Sequence, residues 1–339
     1  MNIVIDAFGG DNAPLEIIKG ALKAHEYLKV DITLTGDEEK IKSCAQENEL
    51  DISGISIRHA PDVVEICDDP RAVCRAKNNS SMAVGLKMLA DGEGDAFVSA
   101  GSTAALVVGA QYYVKSVTKG VPLALATLLP AASQPFMLLD CGAKVSCNPD
   151  TMVQFATMGS IYMEKVMKVN KPTVGLANIG AEESKGRELE RESYKLLQDS
   201  QLNFIGNIES RDLPKGECSV VVADGYTGNM LLKLYEGMGK FFGDELKKLL
   251  TSSILSKIGA AFMLKSVKAF RKRMDYKEYG GAPLLGTKRP VIKAHGSSDE
   301  KAIFNAVRQA KKFTQGNVIN AMLKELEALK QKEKANIEQ

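Results

Sequence analysis

Two short glycine-bounded segments carry the side chains best suited to chemistry on an anion. Lys185 lies in Gly180-Ala181-Glu182-Glu183-Ser184-Lys185-Gly186, and Asn229 ends Asp224-Gly225-Tyr226-Thr227-Gly228-Asn229. A lysine in a tight turn after a strand pairs with phosphate as a compact point charge. An asparagine amide can donate to an oxygen that gains negative charge during acyl transfer. Plainer roles fit the same residues, a solvated surface lysine and a cap for the next helix, and the pattern alone leaves both open. Gly101-Ser102-Thr103 opens a predicted helix, whose free N–H groups and partial positive charge favour an anion. Ser102 or Thr103 serves equally well as the cap of that helix. His295-Gly296-Ser297-Ser298-Asp299 contains the residue types of a nucleophilic triad. Triad partners usually come from separate loops, so a helix-capping turn is the better reading. Asp6, Asp140 and Asp224 each end a predicted strand and read as acceptors for turn N–H groups.

These segments share a position: each follows a run that reads as a buried strand. Strands are predicted at Asn2–Asp6, Asp31–Thr35, Ile55–His59, Ala96–Ala100, Leu123–Leu129, Phe136–Asp140, Thr173–Asn178, Phe204–Ile208, Val220–Ala223 and Val291–Ala294. Helical spacing is predicted over Leu15–Tyr27, Ser80–Ala90, Thr103–Val117, Thr151–Lys168, Glu183–Gln198 and Ser298–Gly316. Pro14 suits the first turn of the first helix, with Asn12 as a candidate cap. Continuous apolar runs such as Val220-Val221-Val222-Ala223 mark strands covered on both faces. The alternation predicts an α/β fold, a three-layer α/β/α sandwich with a large, mostly parallel sheet in a single domain over 1–339. In such sheets ligands bind beyond the carboxyl ends of the strands. Six glycine-bearing loops, after residues 6, 100, 140, 178, 223 and 294, are therefore expected to converge on one edge.

Several kinds of chemistry have no support. No GxGxxG follows the first strand, and the chain has no GxxxxGK[ST] and no GxSxG. The six cysteines form no CxxC pair and the three histidines are scattered, so no metal site and no cofactor are expected. The cysteines read as reduced thiols of a cytoplasmic protein. Net charge is +2 and tryptophan is absent, which argues against a protein that coats nucleic acid. The N-terminus lacks the basic and apolar regions of a signal peptide, and no run of 18 apolar residues occurs.

Residues 231–275 break the rhythm, with no strand signal. Ten basic residues against four acidic ones give this segment a local excess of six positive charges. Met263, Val267, Phe270 and Met274 recur at helical spacing, opposite Lys265, Lys268 and Lys272. Ile254, Leu255, Ile258 and Phe262 extend the apolar face. Such a protruding basic amphipathic segment suits an anionic membrane surface, or equally a second subunit or its own domain. The candidate membrane contacts are Ile254, Leu255, Ile258, Phe262 and Met263.

The loops also match a known family. IDAFGGDNAP at 5–14, KNNSSM at 77–82, SAGSTAAL at 99–106, FIGNIESRDL at 204–213, DGYTGN at 224–229, YGGAPLLG at 279–286 and VIKAHGSSD at 291–299 resemble the bacterial phosphate acyltransferase (PlsX) family, in order, from residue 2 to about 315. Phe8 and Asn12 stand where the family's usual opening has methionine and histidine. The resemblance implies transfer of a fatty acyl group from acyl carrier protein to inorganic phosphate, giving acyl phosphate for phospholipid synthesis. It implies an isocitrate/isopropylmalate dehydrogenase-like fold, a homodimer, and peripheral association with the membrane. It also implies that the product passes to a downstream glycerol-3-phosphate acyltransferase. Lys185 and Asn229 match positions treated as catalytic. The expected phosphate- and thioester-binding residues are Gly101, Ser102 and Thr103, with Asp224, Thr227, Gly228 and His295. Acyl carrier protein is acidic, so Arg71, Arg75 and Lys77 are expected to dock it. Rival readings are an isopropylmalate-type dehydrogenase, a small-acyl phosphotransacetylase and a non-catalytic membrane scaffold.

Overall fold

A computed structural model describes residues 1–274 and 280–337. Asp275, at the end of the basic segment, and Tyr279, which opens one of the motifs, lie outside them. Among the described residues the strands are β1 (Asn2–Asp6), β2 (Asp31–Gly36), β3 (Ser56–His59), β4 (Ala96–Ser99), β5 (Ala124–Leu129) and β6 (Phe136–Leu139). They continue with β7 (Thr173–Asn178), β8 (Asn203–Glu209), β9 (Val220–Val222), β10 (Ala282–Leu285) and β11 (Val291–Lys293). All belong to one sheet, in the order β3-β2-β1-β4-β11-β10-β5-β6-β9-β7-β8. The ten expected strands are present, each boundary within one residue. β10 is the addition: it lies in the YGGAPLLG motif, too short and glycine-flanked to read as a strand.

Neighbouring strands are parallel except at three places, where β10 meets β11, β10 meets β5, and β5 meets β6. Those reversals have a direct consequence. β3, β2, β1, β4, β11 and β5 run one way, and β10, β6, β9, β7 and β8 run the other. The six glycine loops therefore do not converge. Three follow β1, β4 and β11 at one edge, and three follow β6, β7 and β9 at the opposite edge. The expectation failed because strand direction was inferred from alternation, whereas β5 and β6, joined by six residues without a helix, form an antiparallel hairpin that reverses β6, β9, β7 and β8.

Alternating side chains feed two apolar layers. Ile3 and Ile5 pack on one face with helices α1 (Leu15–Leu28), α5 (Pro149–Lys165), α9 (Glu300–Gln315) and α10 (Val318–Ile337). Val4 and Phe97 face the other layer, with α3 (Ser81–Asp91), α4 (Thr103–Gly109) and the first turns of α7 (Gly225–Thr251). Full burial of one such aliphatic side chain is worth about 1.5–3 kcal/mol, whereas an exposed ion pair contributes roughly 0–1 kcal/mol. The two layers, not the surface pairs, hold the sheet.

Three helix expectations are corrected. α4 ends at Gly109 and gives way to a wider turn over Ala110–Val114, so no single helix runs to residue 117. α6 (Glu188–Gln198) starts five residues later than expected, because residues 183–187 stay in a bonded loop. Asn12 does not cap α1; its amide donates to the Ser298 carbonyl at 3.2 Å, and Pro14 takes the cap position. A helix over Glu38–Glu47 (α2), capped by Asp37, was not anticipated. The basic segment forms the rest of α7 and α8 (Ile254–Met274), two helices packed on each other. No helix among the described residues is long and apolar enough to cross a membrane.

Candidate active site

The loops after β6, β7 and β9 are bound into one unit. Asp140, buried at the end of β6, accepts from the backbone N–H groups of Leu125, Gly142, Ala143 and Lys144 at 2.7–3.2 Å. Burial pushes its carboxyl up, and those donors oppose the shift. The Lys144 carbonyl then accepts from Gly225 N–H at 3.0 Å, joining this loop to the start of α7. Asp224 caps α7 by accepting from Thr227 N–H at 2.7 Å. Gly228 is obligatory at the junction: a Cβ there would lie 1.9 Å from the Asp140 carbonyl oxygen. Asn229, one residue on, is exposed and sits against Gly142, whose Cβ position would be 3.5 Å from the Asn229 Cγ.

The third loop brings the lysine. Glu182 O accepts from Lys185 N–H at 3.1 Å and from the Asn207 amide of β8 at 2.9 Å. Asn178, at the end of β7, donates to Lys185 O at 3.1 Å. Gly186 takes φ +91°, a left-handed conformation that lets the chain turn back into α6. Arg187 follows, and its guanidinium pairs with both Glu190 and Asp224. These carboxylates hold it further into its charged form. Arg187 thus ties the Lys185 loop to the helix start that carries Asn229. Sequence reading missed it, although its place two residues after the lysine was visible. Lys185 itself is exposed, and among the described residues its ammonium has no carboxylate partner.

Geometry therefore groups Lys185, Asn229, Asp224, Thr227 and Gly228 around one edge. Asp224 acts as cap and ion-pair partner, which gives its carboxylate no reason to face a phosphate. Asn229 lies within the first turns of α7, and capping falls to Asp224. Cys141 and Cys147 flank the first loop. Burial raises both thiols, Cys147 to about 11, so neither is a thiolate at neutral pH. The chain's histidines, His25, His59 and His295, belong to α1, β3 and the opposite edge.

Gly101, Ser102, Thr103 and His295 lie at that opposite edge. Ser102 caps α4 through Ala105 N–H at 3.4 Å. Asp6 accepts from Ser99 Oγ at 2.7 Å, and Gly101 N–H donates to the same hydroxyl at 3.0 Å. Asp11 N–H donates to Gly296 O at 2.8 Å. His295 Nδ1 lies 2.9 Å from Ser297 Oγ, while Asp299 caps α9. Lys293 is buried behind these turns, donating to Ala100 O at 3.3 Å, and burial lowers it to about 8. This edge is well bonded internally, and it is distinct from the one carrying Lys185.

Arg71 and Arg75 are exposed at a 3-10 turn over Pro70–Cys74. They line a cavity of about 620 Å³ that Ala143 and Lys144 of the first loop also line. Lys77 is placed differently: its ammonium is occupied by Asp68 at 2.6 Å and Val63 O at 2.8 Å. Ile254, Leu255, Ile258, Phe262 and Met263 are all exposed on α8, Phe262 at 88%.

Solved structures share the fold: a phosphotransacetylase from Streptococcus pyogenes aligns with a TM-score of 0.65 at 15% identity, covering 93% of this chain and 94% of that one. A branched-chain phosphotransacylase from Enterococcus faecalis aligns at 0.55 and 16% identity, covering 93% and 99%. The fold is thus that of the phosphotransacetylases. Residues 1–321 match the family model described as fatty acid synthesis protein. A phosphate acyltransferase of Thermoanaerobacter pseudethanolicus is 45% identical over 331 residues, 97% of this chain and 98% of that protein. One of Clostridium botulinum is 47% identical over 313 residues, 92% and 93% of the two chains. The chain belongs to the phosphate acyltransferase family, and it is an enzyme that transfers an acyl group to phosphate.

Proposed function

We propose that the acyl donor is a long-chain acyl group on acyl carrier protein, and that phosphate attacks its thioester directly at the edge carrying Lys185 and Asn229. A phosphate oxygen forms the new C–O bond, and the C–S bond breaks with its electron pair on sulfur. The leaving thiol has a pKa of about 8.5, so it departs with little acid assistance. Phosphate is already anionic near pH 7 and needs positioning more than deprotonation. Lys185 steadies the phosphate, and the Asn229 amide stabilises the developing oxyanion. The observation that carries this reading is an ammonium without a carboxylate partner among the described residues, strapped through Arg187 and Asp224 to the turn bearing the amide. The raised thiols of Cys141 and Cys147 support a route without an acyl-enzyme.

Arg71 and Arg75 are the docking cations for the acidic carrier. The α7–α8 pair supplies peripheral contact with an anionic membrane through its exposed apolar side chains, in an enzyme that acts as a homodimer of single-domain chains. The test is incubation with hexadecanoyl acyl carrier protein and inorganic phosphate, followed by mass spectrometry for hexadecanoyl phosphate. One acyl phosphate per thiol released is expected. Preferential use of acetyl-coenzyme A, or thiol release without acyl phosphate, overturns it.

A further inference from the structure

The cavity beside the first loop is lined by apolar and by cationic side chains. Val107 and Val108 of α4, Tyr112 of the wider turn and Leu123 before β5 give it apolar walls. Arg71, Arg75 and Lys144 bring three cations to it. Among the described residues none of the three stands in an ion pair with a carboxylate. Uncompensated cations around an apolar hollow complement a ligand with a chain and an anionic head. The cavity is also continuous with the reactive edge. Ala143 and Lys144 line it, Gly142 before them packs on Asn229, and Lys144 O accepts from Gly225.

We infer that this cavity is the subsite for the acyl chain, and that after transfer it retains the fatty acyl phosphate, with the chain between α4 and Leu123 and the phosphate head among Arg71, Arg75 and Lys144. The inference rests on the acyl transfer proposed above. It assigns Arg71 and Arg75 a second duty, contact with the ligand's anionic head, besides any contact with the carrier. It makes Val107, Val108 and Leu123 the residues that set chain length. The site therefore selects long chains by filling its apolar walls, and each methylene lost or excluded there is worth about 10-fold or more in preference.

The probe is hexadecyl phosphate, a stable relative of the product, with hexadecanol as its uncharged control. Calorimetric binding is compared in the wild type, Val108→Trp, Leu123→Phe and Arg75→Gln. Alongside, acyl phosphate formation is measured with hexadecanoyl and octanoyl acyl carrier protein. Val108→Trp and Leu123→Phe narrow the same space from different elements, so a folding failure in one leaves the other to decide. Each is expected to weaken hexadecyl phosphate by about 10-fold or more and to shift the hexadecanoyl-to-octanoyl ratio toward the shorter donor. Arg75→Gln is expected to weaken hexadecyl phosphate and leave hexadecanol binding unchanged. Unchanged binding and an unchanged ratio in a folded narrowing variant overturn the inference. A wild type that makes acyl phosphate from neither donor contradicts the proposed reaction instead, while hexadecyl phosphate binding still reports on the cavity.

Discussion

Two cations stand two residues apart in one loop and have opposite surroundings. Arg187 is saturated by Glu190 and Asp224, and Lys185 has no carboxylate partner among the described residues. In the proposed mechanism that division separates structure from chemistry: the arginine fixes the loop, and the lysine's charge is left for the phosphate. Arg187→Gln breaks the strap without touching the ammonium. Misplacement of a reacting group by an ångström costs on the order of 100-fold, so kcat is expected to fall roughly 10- to 100-fold. The phosphate KM should move little, and steady-state kinetics at varied phosphate read both. Asp224→Ala removes the α7 cap as well as the strap. A loss of about 1 kcal/mol from the cap is expected in urea unfolding, with a larger loss in kcat.

At the scale of elements, Lys293 is the instructive strand residue. Burial lowers its pKa from the ordinary 10.5 to about 8, with Lys233, Asp6, Asp11 and Glu236 as the charges facing it. Below pH 8 folded and unfolded chains both hold the proton, so the burial cost is present in full. Between pH 8 and 10.5 the unfolded chain holds more protons, and stability from this group rises with pH. The wild type should therefore gain stability relative to Lys293→Met across that window, measured by urea midpoints. A flat difference contradicts the burial assignment. The strands themselves were legible, because runs such as Val220–Val222 are apolar on both faces and lie between turn residues. The direction of four of the ten expected, β6, β7, β8 and β9, was not. That depends on the β5–β6 hairpin, which sets β6 antiparallel to β5; β10, antiparallel to both β11 and β5, leaves those two parallel. Lys185 and Asn229 were legible as polar groups in glycine turns. Arg187 was not, since its value lies in Asp224, 37 positions away. On α8, Phe262→Glu puts a charge on the most exposed aromatic of the helix pair. Flotation with anionic vesicles should fall, and unchanged flotation removes this side chain from membrane contact.

On the scale of the whole molecule, opposed strand directions give the sheet two bonded edges, and only one carries the Lys185–Asn229 pair. Charge is likewise uneven: ten cations gather in 231–275 of a chain with net charge +2. Arg71 and Arg75 lie outside that segment, on the cavity that Ala143 and Lys144 also line. Carrier docking by such exposed cations weakens as salt shortens electrostatic reach to about 8 Å at physiological strength. The KM for acyl carrier protein should rise with salt, whereas kcat at saturation should hold; a salt-independent KM argues against electrostatic docking. The central claim is that phosphate attacks at the Lys185 edge. Its most direct test is single-turnover release of carrier thiol at increasing phosphate, in the wild type, Lys185→Ala and Ser102→Ala. The expected result is release that depends on phosphate, with one acyl phosphate per thiol, slowed by about 100- to 1,000-fold in folded Lys185→Ala and by far less in Ser102→Ala. Thiol release that ignores phosphate, or a Lys185→Ala rate equal to that of the wild type, would contradict it.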